Sequence, residues 1–328
     1  MLGLSRKRNR TEGVGIHIGT RSLTLVRAVR PPGTPRILQL FSEPLPRQPG
    51  EWPVRAVAEK LARARTAVNL SAEIAGMTVS SDLAATDFLD LPKLDGEQLA
   101  EAVRLQLGSR HGAGAQVSHE FVVLERYRER CRVFAASIPT PTLKVMLDSF
   151  LAVRCKVDAV GVDSVSLAAL LSRLGLAGVA PVAVLNVGPQ WSEIHILKKG
   201  KIAFSRPILK PEVEEAGPAE KRHEPSPARG EEPAGLSASH LTWVAREANK
   251  TLDYFEIELL SQAVDRMFLI GEGTQDPALA DALRGELQLE VGVLAVDGKV
   301  EDETGRFVPA LHALALAAAL HEEGGSEN

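Results

Sequence analysis

The stretch Gly15-Ile-His-Ile-Gly-Thr-Arg-Ser-Leu-Thr-Leu-Val26 holds two short apolar-alternating runs joined by a glycine turn. Val14 to Ile18 reads as a strand, Gly19-Thr20-Arg21-Ser22 as the turn, and Ser22 to Val29 as the returning strand. Arg30 to Arg36, rich in proline, breaks the run, and Ile37 to Phe41 reads as a third strand. The same order recurs far along the chain. Val182 to Val187 ends in Gly188, Glu193 to Lys198 returns, and Lys201 to Pro207 follows the turn Lys199-Gly200. A meander with a glycine turn after its first strand therefore occurs twice, over Val14 to Phe41 and Val182 to Pro207.

Outward from these two anchors the pattern is α/β. Val54, Val57, Ala58, Leu61 and Ala62 line one face of a helix predicted over Trp52 to Ala67. A strand is expected over Glu73 to Ser80 and a short extended piece over Leu89 to Leu91. Asp95 and Gln98 resemble a capping box for a helix reaching Leu107. Glu120 to Arg126 and Arg130 to Ile138 form a hairpin, and Pro141 opens a helix to Val153. Val157 to Val162 is extended, with Asp163 the expected N-cap of a helix over Ser164 to Leu174. Beyond the second meander come a helix over Ser239 to Leu259, a strand over Arg266 to Ile270 and a turn at Gly271-Glu-Gly273-Thr274. A helix over Pro277 to Leu287, a strand over Leu289 to Val296 and an apolar helix over Val308 to His321 complete the pattern.

One segment departs from this pattern. Lys210 to Gly235 carries five prolines and seven glutamates, with Val213 its only large apolar residue. It cannot bury enough apolar surface to offset the entropy of ordering, so disorder is expected there.

The composition excludes several function classes. Lys plus Arg is 38 and Asp plus Glu is 42 over 328 residues, without the basic excess of a general nucleic-acid binder. Aromatic residues are 4%, a thin stock for stacking on bases. Cys131 and Cys155 alone make neither a disulfide framework nor a zinc site, which favours a reducing cytoplasm. The longest strongly apolar run, Pro309 to Leu320, falls short of the ~20 residues that span a bilayer. Arg6, Lys7, Arg8 and Arg10 open the chain without a following apolar run, so no secretory signal is expected. A frayed basic arm or one touching anionic lipid both fit them. No Gly-x-Ser-x-Gly or His-Glu-x-x-His occurs, and the eight histidines are scattered.

The glycine turns carry the remaining chemistry. Backbone N–H groups and hydroxyls at such a turn can cradle phosphate oxygens. Any hairpin also uses glycine, so each turn alone is weak. The spacing of Gly13, Gly15 and Gly19 does not fit a dinucleotide fingerprint, and no Gly-Lys-Ser/Thr is present. The order of the three turns is more informative, and it resembles that of the actin-like ATPases, and within them the PilM proteins of type IV pilus assembly. Gly15 to Val26 looks like the first phosphate loop and Leu185-Asn-Val-Gly188 like the second. Arg246 to Phe255 looks like the helix that runs past the nucleotide, and Leu269 to Thr274 like the adenosine loop. Asp87 to Leu105 resembles the small subdomain inserted in FtsA and PilM, and Asp163 to Leu171 and Ala310 to Leu320 also follow the family pattern.

The resemblance implies an actin-like (ribonuclease H-like) two-lobe α/β fold with an FtsA/PilM-type inserted subdomain. The expected organisation is a basic arm over 1–12 and a first lobe over 13–82 that continues at 158–177. The inserted subdomain covers 83–157 and the second lobe 178–322, which the disordered loop 210–237 interrupts, before a tail at 323–328. ATP with magnesium would lie against Gly19, Thr20, Arg21, Ser22, Gly188, Glu247, Lys250, Gly271, Gly273 and Thr274. An ion pair across one helical turn accounts for Glu247 and Lys250 equally.

Two departures weigh against hydrolysis. The family has Asp where this chain has His17, and again where it has Asn186. Neither residue supplies the carboxylate that Mg²⁺ prefers, and phosphoryl transfer depends on the metal's charge. Glu272 adds a negative group to the adenosine loop. The expectation is a cytoplasmic adaptor, peripheral at the inner membrane, with a degenerate nucleotide site. Its partner would be a PilN-like single-span membrane protein, docked through its cytoplasmic N-terminal tail alongside other pilus assembly proteins, with no nucleic acid. The alternatives are a slow ATPase of the same fold that gates pilus assembly, or a component of a type II secretion or competence system. Actin-like proteins can also polymerise or form rings, and the sequence selects none of these states.

Overall fold

The computed structural model describes residues 11–19, 21–30, 33–45, 50–68, 73–74, 76–111, 115–188, 191–209, 236–259 and 262–321. The basic arm up to Arg10, Thr20, the acidic segment Lys210 to Gly235 and the tail after His321 lie outside them.

The first meander is β1 (Glu12–Ile18), β2 (Ser22–Val29) and β3 (Arg36–Pro44), followed by α1 (Val54–Ala67). The expected strand over Glu73 to Ser80 is divided into β4 (Glu73–Ile74) and β5 (Gly76–Val79). Next come β6 (Ala85–Pro92), α2 (Gly96–His111), β7 (Val117–Arg126), β8 (Arg130–Pro139) and α3 (Thr140–Ala152). Two short strands, β9 (Lys156–Val157) and β10 (Val160–Val162), lead into α4 (Asp163–Arg173). The second meander is β11 (Val182–Val187), β12 (Trp191–Lys198) and β13 (Lys201–Leu209). After the acidic segment come α5 (Ala238–Ile257), β14 (Arg266–Ile270), α6 (Pro277–Glu286), β15 (Glu290–Val293), β16 (Glu301–Asp302) and α7 (Pro309–Ala319).

The repeat seen in the sequence is a repeat of architecture. One sheet runs β10-β5-β1-β2-β3-β16 and the other β13-β12-β11-β14-β15. In each, the first meander strand pairs antiparallel with the second and parallel with a later strand on its other side. Both glycine turns close alike: the Gly19 N–H donates to the Ser22 carbonyl at 3.0 Å and the Gly188 N–H to the Trp191 carbonyl at 3.1 Å. A three-stranded sheet, β6-β8-β7, stands apart with α2 on one face, where Leu99, Val103 and Leu107 meet Leu89, Leu91 and Val133. Its other face turns Phe88 onto Phe134 and toward the second sheet, where Phe204 stacks on Phe88 with ring centroids 6.2 Å apart.

Several local expectations change. Asp163 is the first residue of α4, not its cap: Val162 holds the N-cap position, and no side chain caps this helix. The Asp163 carboxylate is drawn instead toward Thr78, as described below. The Asp95 carboxylate takes Arg126 at 2.7 Å. Tyr254 is 46% exposed, while its neighbour Phe255 is buried. β16 was not expected, because two consecutive acidic residues carry no strand signal; Asp302 accepts the N–H groups of Thr304 and Phe307 and so holds the turn that places it. Among the described residues no helix is long and apolar enough to cross a membrane.

Helix α7 is the central element of the packing. Its alanines allow its backbone to lie almost directly on β1 and β5, and glycines on those strands receive it. A Cβ on Gly15 would stand 2.0 Å from the Ala319 nitrogen and 2.2 Å from the Ala315 oxygen, and one on Gly76 would stand 2.7 Å from the Ala318 oxygen. These neighbours are backbone atoms and cannot swing aside. Gly15→Ala is therefore expected to destabilise the protein by about 3 kcal/mol, and urea denaturation of the two proteins measures the difference.

Candidate functional site

The C-terminal ends of β1 and β5 in one sheet and of β11 and β14 in the other face a common cavity of about 1060 Å³. The volume is in the range of small-molecule sites. Of the residues singled out in the sequence, Gly19, Arg21, Ser22, Gly188, Gly271 and Gly273 border it. So do His17, Asn186 and Glu272, which line the cavity without filling it. Thr20 lies outside the described residues. Glu247, Lys250 and Thr274 are not among the described residues that border the cavity.

Thr274 braces the third turn, its hydroxyl donating to the Gly271 carbonyl at 2.7 Å. Glu247 is held by Lys250 at 2.6 Å and by Arg206. The Lys250 ammonium first, and then Arg206, keep its carboxyl below the ordinary range. Gly271 sits at φ +90°, and a Cβ there would meet the Asn186 side chain at 2.3 Å and the Val187 carbonyl at 2.6 Å. The third glycine turn is thus required where it packs against the end of β11.

The floor of the cavity is a polar cluster. Asp163 is 1% exposed and accepts the Thr78 hydroxyl at 3.2 Å; Thr78 in turn takes the Ser166 hydroxyl at 3.0 Å. The other Asp163 oxygen lies 3.5 Å from His17 Nε2, and neither of these two atoms makes a hydrogen bond. Behind this floor Glu193 is 1% exposed on β12. It accepts the Ser81 hydroxyl at 2.6 Å and the Ser205 hydroxyl at 3.1 Å, and Ser205 also bonds His195 Nδ1 at 2.9 Å. Burial pushes the Glu193 carboxyl up, with nearby Asp163 adding to the rise, while His195 and the serine hydroxyls oppose it. At the cavity mouth Arg21 and Glu272 approach to 3.7 Å. Burial raises the Glu272 carboxyl against the pull of Arg21 and His17.

Asp163 and Glu193 are the site residues that sequence reading missed. Asp163 was assigned to a cap. Glu193 and His195 alternate with Ile194 and Ile196, the pattern of a strand with one wet face, yet this sheet is covered on both faces. The cross-strand pairing of Glu193 with Asn186 is the signal that ties it to the second turn.

The residues present do not fit a hydrated magnesium ion held by carboxylates at the ends of β1 and β11. His17 and Asn186 stand at those ends, and Asp163 is engaged by Thr78 and faces His17. The Gly19 and Gly188 N–H groups are spent in closing their own turns. Arg21, the one Lys or Arg among the described residues bordering the cavity, is turned to Glu272. Among the described residues no group of three or more His, Cys, Asp or Glu is placed to hold a metal.

Comparison with known proteins places this geometry in a class. No family model matches the chain, and no curated protein does. The chain is similar to a protein of unknown function with an actin-like ATPase fold from Bacteroides thetaiotaomicron, at 12% identity and a TM-score of 0.53 over 97% of this chain and 99% of that one. The molecule is an α/β protein of the actin-like ATPase fold. It is also similar to a chain of the PilM-PilN type IV pilus biogenesis complex, at 17% identity and a TM-score of 0.72 over 94% of this chain and 97% of that one.

His312, near the start of α7 at the cavity wall, gives the fold a pH-dependent stability. Its Nδ1 accepts the Val308 N–H at 2.9 Å. Burial pushes its pKa down to about 4 from 6.5; Asp302 opposes the shift and Arg306 adds to it. A depressed histidine stabilises the fold fully above its unfolded value and loses that contribution as the pH falls from 6.5 toward 4. His312→Gln is expected to be less stable at neutral pH, since Val308 loses its acceptor, but to show a flatter fall in stability across that window. Denaturant titrations at several pH values compare the two slopes.

Proposed function

We propose that this chain is a PilM-like cytoplasmic adaptor of a type IV pilus assembly platform, with a degenerate nucleotide site. On this reading it is peripheral at the inner membrane and docks the cytoplasmic N-terminal tail of a PilN-like single-span membrane protein. The observation that carries the reading is the fold shared with a chain of the PilM-PilN complex over nearly the full length of both chains, at a TM-score of 0.72. The degenerate cleft is supported by its side chains: His17 and Asn186 at the strand ends, and a mouth crossed by Arg21 and Glu272. On this reading its membrane attachment comes from that partner.

A second reading has one specific observation in its favour. The cavity is open, about 1060 Å³, and bordered by all three glycine turns. A slow ATPase of the same fold that gates assembly would need such a space. Its nucleotide would contact Gly19, Arg21, Ser22, Gly188, Gly271 and Gly273, with Glu247, Lys250 and Thr274 braced farther off.

One pair of titrations separates the readings. Mg-ATP added to the pure protein is expected to give no saturable binding at micromolar concentrations and no phosphate release. A fluorescent peptide copying the N-terminal tail of the single-span partner is expected to bind saturably under the same conditions. Micromolar Mg-ATP binding with turnover would sink the degenerate-site reading. Absence of peptide binding would sink the adaptor.

A further inference from the structure

The seam between the two large sheets is crossed by side chains beside the cavity and at residues that border it. Behind the cavity floor, Ser81 follows β5 of the six-stranded sheet, and its hydroxyl donates to Glu193 on β12 of the five-stranded sheet at 2.6 Å. The turn that carries Ser81 is itself fixed: Asp82 accepts the Ser80 hydroxyl and, at 2.8 Å, the Gly50 N–H. Glu193 is 1% exposed, so its second oxygen must also be satisfied from within, and Ser205 does this at 3.1 Å. A buried carboxylate held this way strongly favours the arrangement that supplies its donors, because separating the seam removes one of them. At the mouth, Arg21 of the first turn reaches Glu272 of the third at 3.7 Å. Both contacts join the same pair of sheets, one behind the cavity floor and one between residues that border the cavity.

We propose that these two contacts form a latch that, added to the packing of α7 and the shared apolar core across the seam, restricts the relative motion of the lobes. In a ligand-gated pair of lobes, the bound group supplies the link between the loops on either side. Here a serine–carboxylate bond and an arginine–carboxylate pair supply it from the chain. The proposal rests on reading the cleft as a degenerate nucleotide site. It adds that the protein presents one docking-competent shape regardless of nucleotide supply. The mouth pair is partly exposed and individually weak; the floor bond, taken to a buried carboxylate, carries the latch.

The test measures the distance between the lobes. Glu59 on α1 is 62% exposed and Asp281 on α6 80% exposed, while Cys131 and Cys155 are buried, so spin labels on Glu59→Cys and Asp281→Cys report one lobe each. In the otherwise unchanged full chain, pulsed EPR is expected to give one narrow distance distribution that millimolar Mg-ATP does not move. Adding Ser81→Ala and Arg21→Ala is expected to broaden the distribution and shift it to longer distances, with circular dichroism unchanged. Should that variant fail to fold, Arg21→Ala alone, at an exposed side chain, is read for the smaller broadening. The latch is overturned by a broad starting distribution, by contraction with Mg-ATP, or by latch variants whose distribution matches the parent. Loss of partner-peptide binding with a narrow, unmoved distribution would overturn the adaptor and leave the latch standing. Mg-ATP turnover without movement would overturn the degenerate site alone.

Discussion

The architecture depends on one close approach, the backbone of α7 lying against β1 and β5. Van der Waals contact at that distance is open only to glycine on the strands and to small residues on the helix. Gly13, Gly15 and Gly76 meet Ala315, Ala318 and Ala319 there, and a methyl group at any of these glycines would enter the helix backbone. The other end of the same helix accepts the Gly271 N–H through the Ala310 carbonyl at 2.8 Å. One eleven-residue helix thus sits on the first sheet and also fixes the third glycine turn of the second. Gly271 and Gly273 pass the constraint on, since they touch Val187 at the end of β11 where the second turn begins. Backbone packing thus ties the third turn, and through it the end of β11, to the helix that lies on the first sheet.

That chain of contacts explains what could be read from the sequence. The two meanders were legible because each local choice agrees with the fold: alternating apolar residues, a glycine turn, and a returning strand. The parallel additions to each sheet join elements far apart in the chain, and no local pattern marks them. What was hidden is where burial is two-sided. Glu193 and His195 occupy positions that alternate with Ile194 and Ile196, and alternation alone assigns them to water. α4 and the first lobe's core cover that face, so the polar residues become a buried hydrogen-bonded set. Asp163 misled for a related reason. A carboxylate at the start of a helix has a sufficient local explanation as a cap, and only the parallel pairing of β10 with β5 brings Thr78 within reach of it. Glu247 and Lys250 show the reverse case, where the plain reading as neighbours on a helix accounts for their observed contacts.

Volume and chemistry separate in the cleft. The cavity is large because its walls are strand ends and glycine turns whose spacing is set by α7. Its charge is set by side chains that this packing leaves free to differ. Among the described residues, Glu43, Asp163, Glu272 and Asp276 border it against the one guanidinium of Arg21. Glu43 is neutralised by Lys60 and Arg63, and Asp276 is occupied as the cap of α6 and by the Leu236 N–H. Asp163 and Glu272 therefore carry the electrostatics of the space: Glu272 lies 3.7 Å from Arg21, while the second Asp163 oxygen lies 3.5 Å from His17 without a hydrogen bond. A polyphosphate entering here would have to part Arg21 from Glu272 and lie against two carboxylates, whose charge repels its own. The packing that opens the cavity thus leaves Glu272 turned to Arg21 and one Asp163 oxygen to Thr78, while the second Asp163 oxygen stands beside His17 without a hydrogen bond.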